Sequence, residues 1–316
     1  MSFYQFLIKR LLYVIPTIFL VTLLVFGILH MVPGDPVDAL LAEEQDAEMR
    51  ELLIKQLGFD KPVYVQYLKW ISRVVQGDLG QSILHARPVS TIVKESLPRT
   101  AYLAAGAMFF ALVVSFPLGI MAAVKRKTWV DYTAQVTAMI GLSVPVFWEA
   151  LLVMFYFGLI LGWFPTVGYT PPSEDFLDFL HHLFLPAVTL GFEMVAVMTR
   201  MTRSTMLEEL NKDYVQTHRA QGLRERQVIT RYTLKNAMIP TLTIASIRMA
   251  GLLGGTVVIE TVFAWPGIGM MILDGIHTKD YPVVQGGVLI LSFSFIFINL
   301  IVDILYKWLD PRIKLE

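Results

Sequence analysis

Six long apolar runs constrain this chain more than any other feature. The first is LLYVIPTIFLVTLLVFGILHM from Leu11, and the others cover roughly Ala101 to Val124, Thr133 to Leu161, Leu183 to Thr199, Ala237 to Ile259 and Gln285 to Trp308. About 20 apolar residues in a helix cross the hydrocarbon core of a bilayer. Backbone in lipid must satisfy its own hydrogen bonds, and a run of that length does so as a helix. The expectation is an all-α membrane protein with six transmembrane helices. Composition agrees, since 55% of the 316 residues are hydrophobic, 16% are charged, and the mean hydropathy is +0.58. That is more apolar surface than a soluble core can use.

Charge placement predicts the orientation. Lys9 and Arg10, the stretch Lys125-Arg126-Lys127, the Lys and Arg residues between Arg200 and Lys235, and Lys307, Arg312 and Lys314 all fall on one side. Gly162 to His182 has no Lys or Arg, and Glu260 to Val284 has only Lys279. By the excess of positive charge on cytoplasmic connections, both termini are expected in the cytoplasm. The first run starts like a signal peptide but is long enough to span and lacks a small-residue cleavage site, so it reads as an uncleaved first span. Met31 to Pro98 is polar, opens on the turn Pro33-Gly34-Asp35-Pro36 and holds an amphipathic piece at Val63 to Val75. It reads as a large, folded first extracytoplasmic loop. The expected organisation is residues 1–98 as first helix and loop, 99–309 as a five-helix core, and 310–316 as a cytoplasmic tail.

Within the runs, Pro16, Pro117, Pro145 and Pro240 each remove a helical hydrogen bond and predict kinks. Gly251, Gly254 and Gly255 would let another backbone approach closely. The connection VFAWPGIGMMILDGIHTKDYPVV is too apolar for a plain loop. Its Trp265-Pro266-Gly267 turn predicts a re-entrant or interface-lying piece, placed at the outer mouth of a passage.

Catalytic motifs are missing. There is no Gly-Lys dipeptide, hence no phosphate-cradling loop of the G-x-x-x-x-G-K-[ST] type, and no H-E-x-x-H or G-x-S-x-G. His181 and His182 are adjacent, read as loop residues, and lack the spacing for one metal. No metal site, no catalytic residue and no cofactor of the chain's own are expected. The absence of cysteine excludes disulfides and thiol chemistry. Lys plus Arg and Asp plus Glu balance at 26 each, which gives no reason to invoke nucleic acid.

Three ionisable residues lie inside runs, Glu149, Glu193 and Arg248, each costing about 2.5 to 3.5 kcal/mol at mid-bilayer unless paired or hydrated. They are either a buried charge pair tying helices together or a polar lining for a zwitterionic or charged solute. Counted at about 1.5 Å per residue from the cytoplasmic ends of the runs, Glu149 matches the depth of Arg248 better than Glu193 does. Asp303 and Lys307 stand at i, i+4 and read as a local ion pair.

One stretch between the runs, Asn211 to Pro240, spreads Tyr214, Val215, Leu223, Val228 and Ile229 among Arg219, Arg224, Arg226, Arg231 and Lys235. That pattern predicts short helices with one apolar and one cationic face. Asp213 is expected as N-cap, and Gly222 as the left-handed residue that ends one helix before the next. The stretch is either an amphipathic surface element or a loop whose charges only fix topology.

From end to end the chain resembles the membrane subunits of dipeptide/oligopeptide-type ABC importers. The likeness rests on an ordered series: Met31-Val32-Pro33-Gly34-Asp35-Pro36, Leu57-Gly58, Gly77-Asp78-Leu79-Gly80-Gln81-Ser82, Arg200 to Ser204, Asp213-Tyr214-Val215, Asn236 to Pro240, Glu260, Trp265-Pro266-Gly267, Asp280 to Gln285 and Asp310-Pro311-Arg312. The resemblance implies a type I ABC importer permease fold in a bacterial inner membrane. It also implies that about 213–229 is the coupling helix, which docks on an ATPase subunit. The family pattern falls on Tyr214, Val215, Thr217, Arg219, Ala220, Gly222 and Leu223, with Asp213 at its head; His218 stands where that pattern has alanine, and Gln221 where it has lysine. The implied partners are a homologous second permease, two ATPase subunits that bind ATP and Mg, and an extracytoplasmic solute-binding protein. The implied solute is a di- or oligopeptide. Nickel, glutathione or opine-like solutes are alternatives, as is a secondary transporter that works without ATPase subunits.

Overall fold

The computed structural model describes residues 3–31 and 47–309. The expected turn at Pro33 to Pro36, the tail 310–316 and the side chains of Lys9, Arg10, Asp303 and Lys307 lie outside the described residues. The described chain is helical, with one isolated antiparallel bridge between Gln81 and Pro88. In chain order the helices are α1 (Phe3–Met31), α2 (Ala47–Leu57), α3 (Val63–Val75), α4 (Val89–Val124), α5 (Trp129–Ser143), α6 (Val146–Val153) and α7 (Phe176–Leu210). After these come α8 (Asp213–Ala220), α9 (Glu225–Gln227), α10 (Leu234–Val262), α11 (Ile268–His277) and α12 (Tyr281–Leu309). Wider π-helical turns extend α6 over Met154–Ile160 and join α9 to α10 over Val228–Thr233.

Among the described residues four helices are long and apolar enough to cross a membrane, and counting each of two bent pairs as one span brings the total to six. The first bend, of 109°, falls between α5 and α6. Pro145 has no N–H to continue the α5 ladder, and it holds Val144 at φ −84°, ψ 127°, in the extended region. The Pro145 carbonyl then starts α6 by accepting from the N–H groups of Trp148 and Glu149 at 3.0 and 3.1 Å. The second bend, of 64°, separates Glu225–Met249 from Gly254–Val262. It therefore sits at the glycines and not at Pro240, where a kink was expected. A Cβ on Gly251 or Gly254 would meet no atom within 4 Å, so within this chain these two are not sites of close helix approach. At Gly255 the approach exists, since a Cβ there would stand 3.3 Å from Leu190 Cδ1.

The chain forms two compact units. The first comprises the described residues up to Thr100 with Pro266–Phe297, and the second comprises Ala101–Trp265 with the end of α12 from Ile298. Leu29, Val89, Val93, Ile268, Met271, Ile272, Tyr281, Val283 and Val284 make the core of the first. Two stretches of the resemblance meet there: Ser82 donates to Asp280 Oδ2 at 2.5 Å and the Leu84 N–H donates to the same oxygen at 3.2 Å. Asp78 closes its own turn by accepting from the Gly80 N–H at 2.8 Å.

In the second unit α7 is the central helix, packed on α4, α5, α6 and α10. Its crossing with α4 is tight. A Cβ on Gly191 would fall 2.7 Å from the Ala107 carbonyl oxygen, closer than real Cβ contacts come. His181 and His182 are helical and not loop residues; His181 Nε2 lies 2.6 Å from the Trp163 carbonyl and His182 Nδ1 3.0 Å from that of Asp178.

Candidate functional site

The basic stretch forms a sharp turn between the ends of two long helices. α7 stops at Leu210, and α8 begins at once with Lys212 as N-cap, without a side-chain capping bond. Asp213 is thus not the N-cap that the sequence suggests. It stands in the first turn, where a carboxylate still favours the positive end of the helix dipole. Gly222 has φ +78°, its N–H donates to Arg219 O at 3.0 Å, and the Leu223 N–H reaches back to His218 O at 3.3 Å. That pair of bonds is a Schellman closure, which requires a left-handed residue at the glycine.

Across the turn Arg219 grips Glu225 with two bonds, Nε to Oε2 at 3.0 Å and Nη2 to Oε1 at 2.5 Å. The guanidinium holds the Glu225 carboxyl below its usual range. Tyr214 ties the turn to both neighbours, donating to Glu209 Oε2 of α7 at 2.7 Å and accepting from Asn236 Nδ2 of α10 at 3.3 Å. Burial and the Glu209 bond push the Tyr214 phenol up. His218 lies against the Tyr232 ring at 4.1 Å.

The apolar side of this turn faces the chain itself. Val215 and Val228 are fully buried and Tyr214 and Leu223 half-buried. The apolar face that the pattern predicts is thus turned inward, and α8 exposes Asp213, Gln216, Thr217, Arg219 and Ala220, followed by Gln221 and Gly222. The second helix of the expected pair is no separate element either, because α9 runs through Val228–Thr233 into α10.

One anchor for α7 escaped the sequence reading. Asp131, 1% exposed, accepts Arg203 Nε and Nη2 at 2.5 and 2.9 Å, the Lys127 N–H at 3.0 Å and Gln135 Nε2 at 2.8 Å. Arg203 lies within the Arg200 to Ser204 stretch, which was the available signal. Its partner is 72 positions earlier in the chain.

The three ionisable residues of the runs also belong to this unit. Arg248 Nη1 stands 3.7 Å from Glu193 Oε1, so the nearer partner is Glu193 and not Glu149 as depth counting suggests. Counting along straight runs misled because the 109° bend between α5 and α6 separates Glu149 from the arm along which its depth was counted, and because α7 runs to Leu210, past the end of the apolar run at Thr199. The Arg248 and Glu193 side chains are 51% and 58% exposed. Half-buried Glu149, on α6, lies within electrostatic range of Glu193.

Of the residues expected at an outer mouth, Trp265 is corrected. It is fully buried in the second unit, with its ring centroid 4.8 Å from that of Tyr169. Pro266 and Gly267 belong to the first unit, where with Arg99, Glu95 and Asp274 they line a cavity of about 220 Å³. Arg99 Nη1 donates to the Pro266 carbonyl at 3.2 Å.

The sequence profile described as "Binding-protein-dependent transport system inner membrane component" matches residues 115–315, and the corresponding N-terminal profile matches 3–104. The glutathione transport system permease protein GsiC of Escherichia coli O6:H1 is 42% identical over 310 residues, covering 98% of this chain and 99% of that protein. Its counterpart in Escherichia coli K12 is 41% identical with the same coverage. Among solved structures, the MetNI methionine ABC transporter in inward facing conformations matches 70% of this chain and 97% of its own with a TM-score of 0.58 at 18% identity. A second crystal form of that transporter matches with a TM-score of 0.56. At that identity the likeness is one of fold.

Proposed function

The chain belongs to the binding-protein-dependent transport system inner membrane components, and from that premise we propose that it forms half of a passage for di- and oligopeptides or a solute built like them. It is a transport subunit of an ABC importer with the type I permease fold, and not an enzyme. ATPase subunits and a solute-binding protein are its partners. In the proposed assembly a homologous second permease completes the passage, and two ATPase subunits hold ATP and Mg. Both termini, Lys125 to Lys127 and the α8 turn face the cytoplasm.

The observation that carries the mechanism is the way α8 is fastened. Schellman closure at Gly222, the Arg219–Glu225 grip and the Tyr214 bonds make one piece of α8, the end of α7 and the start of α10. A partner docked on Gln216, Thr217, Ala220 and Gln221 would therefore move two membrane helices together. When ATP draws the ATPase subunits closed, the two permeases would change which side their passage opens to. The peptide-like solute is supported by the relatives, since glutathione is a small peptide with free amino and carboxylate groups.

Vesicles holding both permeases and the ATPase subunits, supplied with the binding protein outside and ATP inside, test this reading. Labelled trialanine should accumulate only with all partners and ATP. Accumulation on an ion gradient without ATPase subunits, or of nickel but no peptide, would overturn it.

A further inference from the structure

α7 is buried from Leu185 to Thr199, with Val188 and Phe192 half-covered, except at one exposed residue, and that residue is Glu193. An open carboxylate on the most enclosed helix of the unit marks a gap in the packing between its neighbours. The groups at this gap come from three spans: Glu149 from α6, Glu193 from α7 and Arg248 from α10. Charges of this kind are not left facing lipid, so the gap opens on water or on a hydrated interface.

The backbone gives an independent reason. Each bent span carries an ionisable residue beside its bend: Glu149 follows Pro145 in the first turn of α6, and Arg248 lies next to Met249, where the first arm of the other bent pair ends. Broken helices free peptide groups, which membranes tolerate only where protein or water satisfies them. Two breaks and three charges on neighbouring helices place a polar site within the spans.

Resting on the peptide-permease reading above, we propose that Glu149, Glu193 and Arg248 form a subsite for the zwitterionic ends of a short peptide, entered by exchange of ion partners. The Arg248–Glu193 contact is a single approach at 3.7 Å, too long for a hydrogen bond and half-open on both sides. A peptide ammonium would replace the guanidinium as counter-ion of Glu193, with Glu149 as its second carboxylate. Arg248, released, would take a carboxylate of the solute with its two-pronged geometry. Glu193 and Arg248 each keep an opposite charge throughout, so the exchange strands neither of them in a dry span. Leaving restores the resident pair.

The cysteine-free chain provides the test. Ile247 is exposed beside Arg248 without being one of the proposed ligands. With Ile247→Cys in the assembled importer, trimethylammonium and sulfonate methanethiosulfonates are compared, with trialanine and with N-acetyl-trialanine amide as competitors. Both reagents should react, the cationic one about tenfold faster because carboxylates outnumber the guanidinium. Millimolar trialanine should protect, and the capped peptide should not. In a Glu193→Gln, Arg248→Gln background, which leaves neither partner charged, the protecting concentration should rise about ten- to hundredfold, while co-purification of the second permease and the ATPase subunits shows the assembly intact. An unreactive cysteine, equal protection by both peptides, or protection unchanged in the double variant would overturn the subsite. Unprotected cysteine together with intact trialanine uptake would sink the subsite alone; failure of trialanine uptake would sink the reading on which it rests.

Discussion

The Asp131–Arg203 pair offers the most quantitative prediction. Asp131 is almost fully enclosed and its carboxylate accepts four bonds, two of them from Arg203, whose side chain is 21% exposed. Replacing Arg203 by leucine leaves an enclosed carboxylate with only the Lys127 N–H and the Gln135 amide, and breaking a buried pair in this way costs about 3–5 kcal/mol. Replacing Asp131 by leucine should cost less, about 2–4 kcal/mol, because Arg203 can turn its head to water while the Lys127 N–H is left unsatisfied. Removing both charges should cost no more than the worse single change. The cycle should then show a coupling of about 2 kcal/mol or more, within the range for groups sharing a network. Denaturant titration in detergent, with tryptophan emission and near-ultraviolet dichroism required to coincide, measures all four corners. Coupling below about 0.5 kcal/mol would mean that the pair is not closed and that α7 is held by other contacts.

Gly222→Val places a β-branched residue at φ +78° where a Cβ has open space around it, so the penalty is the backbone alone, about 1–2 kcal/mol; the spans should insert normally while ATPase co-purification or coupled uptake falls. Gly191→Ala should destabilise by about 1–3 kcal/mol because its Cβ would press on the Ala107 carbonyl, and an unchanged melting temperature would refute the α4–α7 crossing. The Arg219–Glu225 contact stabilises the turn at pH values above the ordinary carboxylate range and is lost as pH falls through the lowered Glu225 value. Both groups are half-exposed, so Arg219→Gln should cost less than about 1 kcal/mol and should move the carbon-13 titration of Glu225 up towards that of free glutamate.

The spans were legible because length and apolarity alone decide what crosses a bilayer, and the Gly222 turn because only glycine occupies that conformation without strain. Pro145 announced a break, but its 109° angle depends on packing that no local pattern contains. The second bend had no proline to announce it: the chain bends where Gly251 and Gly254 leave the helix without side chains. Depth counting paired Arg248 with Glu149 because it treated as straight a span that bends by 109° before Glu149, and ended α7 at Thr199 where the helix continues to Leu210. Amphipathic patterning located the α8 turn correctly but not the direction of its faces, since Val215 is covered by this chain's own helices. Long-range partners such as Asp131 with Arg203, or Ser82 with Asp280, carry no local signature and emerge only from the fold.

Docking of the α8 turn on a cytoplasmic ATPase subunit is the central claim, and Gln216→Cys tests it most directly because that side chain is exposed on α8. A membrane-impermeant maleimide is applied to intact spheroplasts and to inverted membrane vesicles, with the ATPase subunits stripped and then added back. The account predicts no labelling in spheroplasts, full labelling in stripped inverted vesicles and protection when the ATPase subunits return. Labelling from outside, or equal labelling with and without the ATPase subunits, would contradict it.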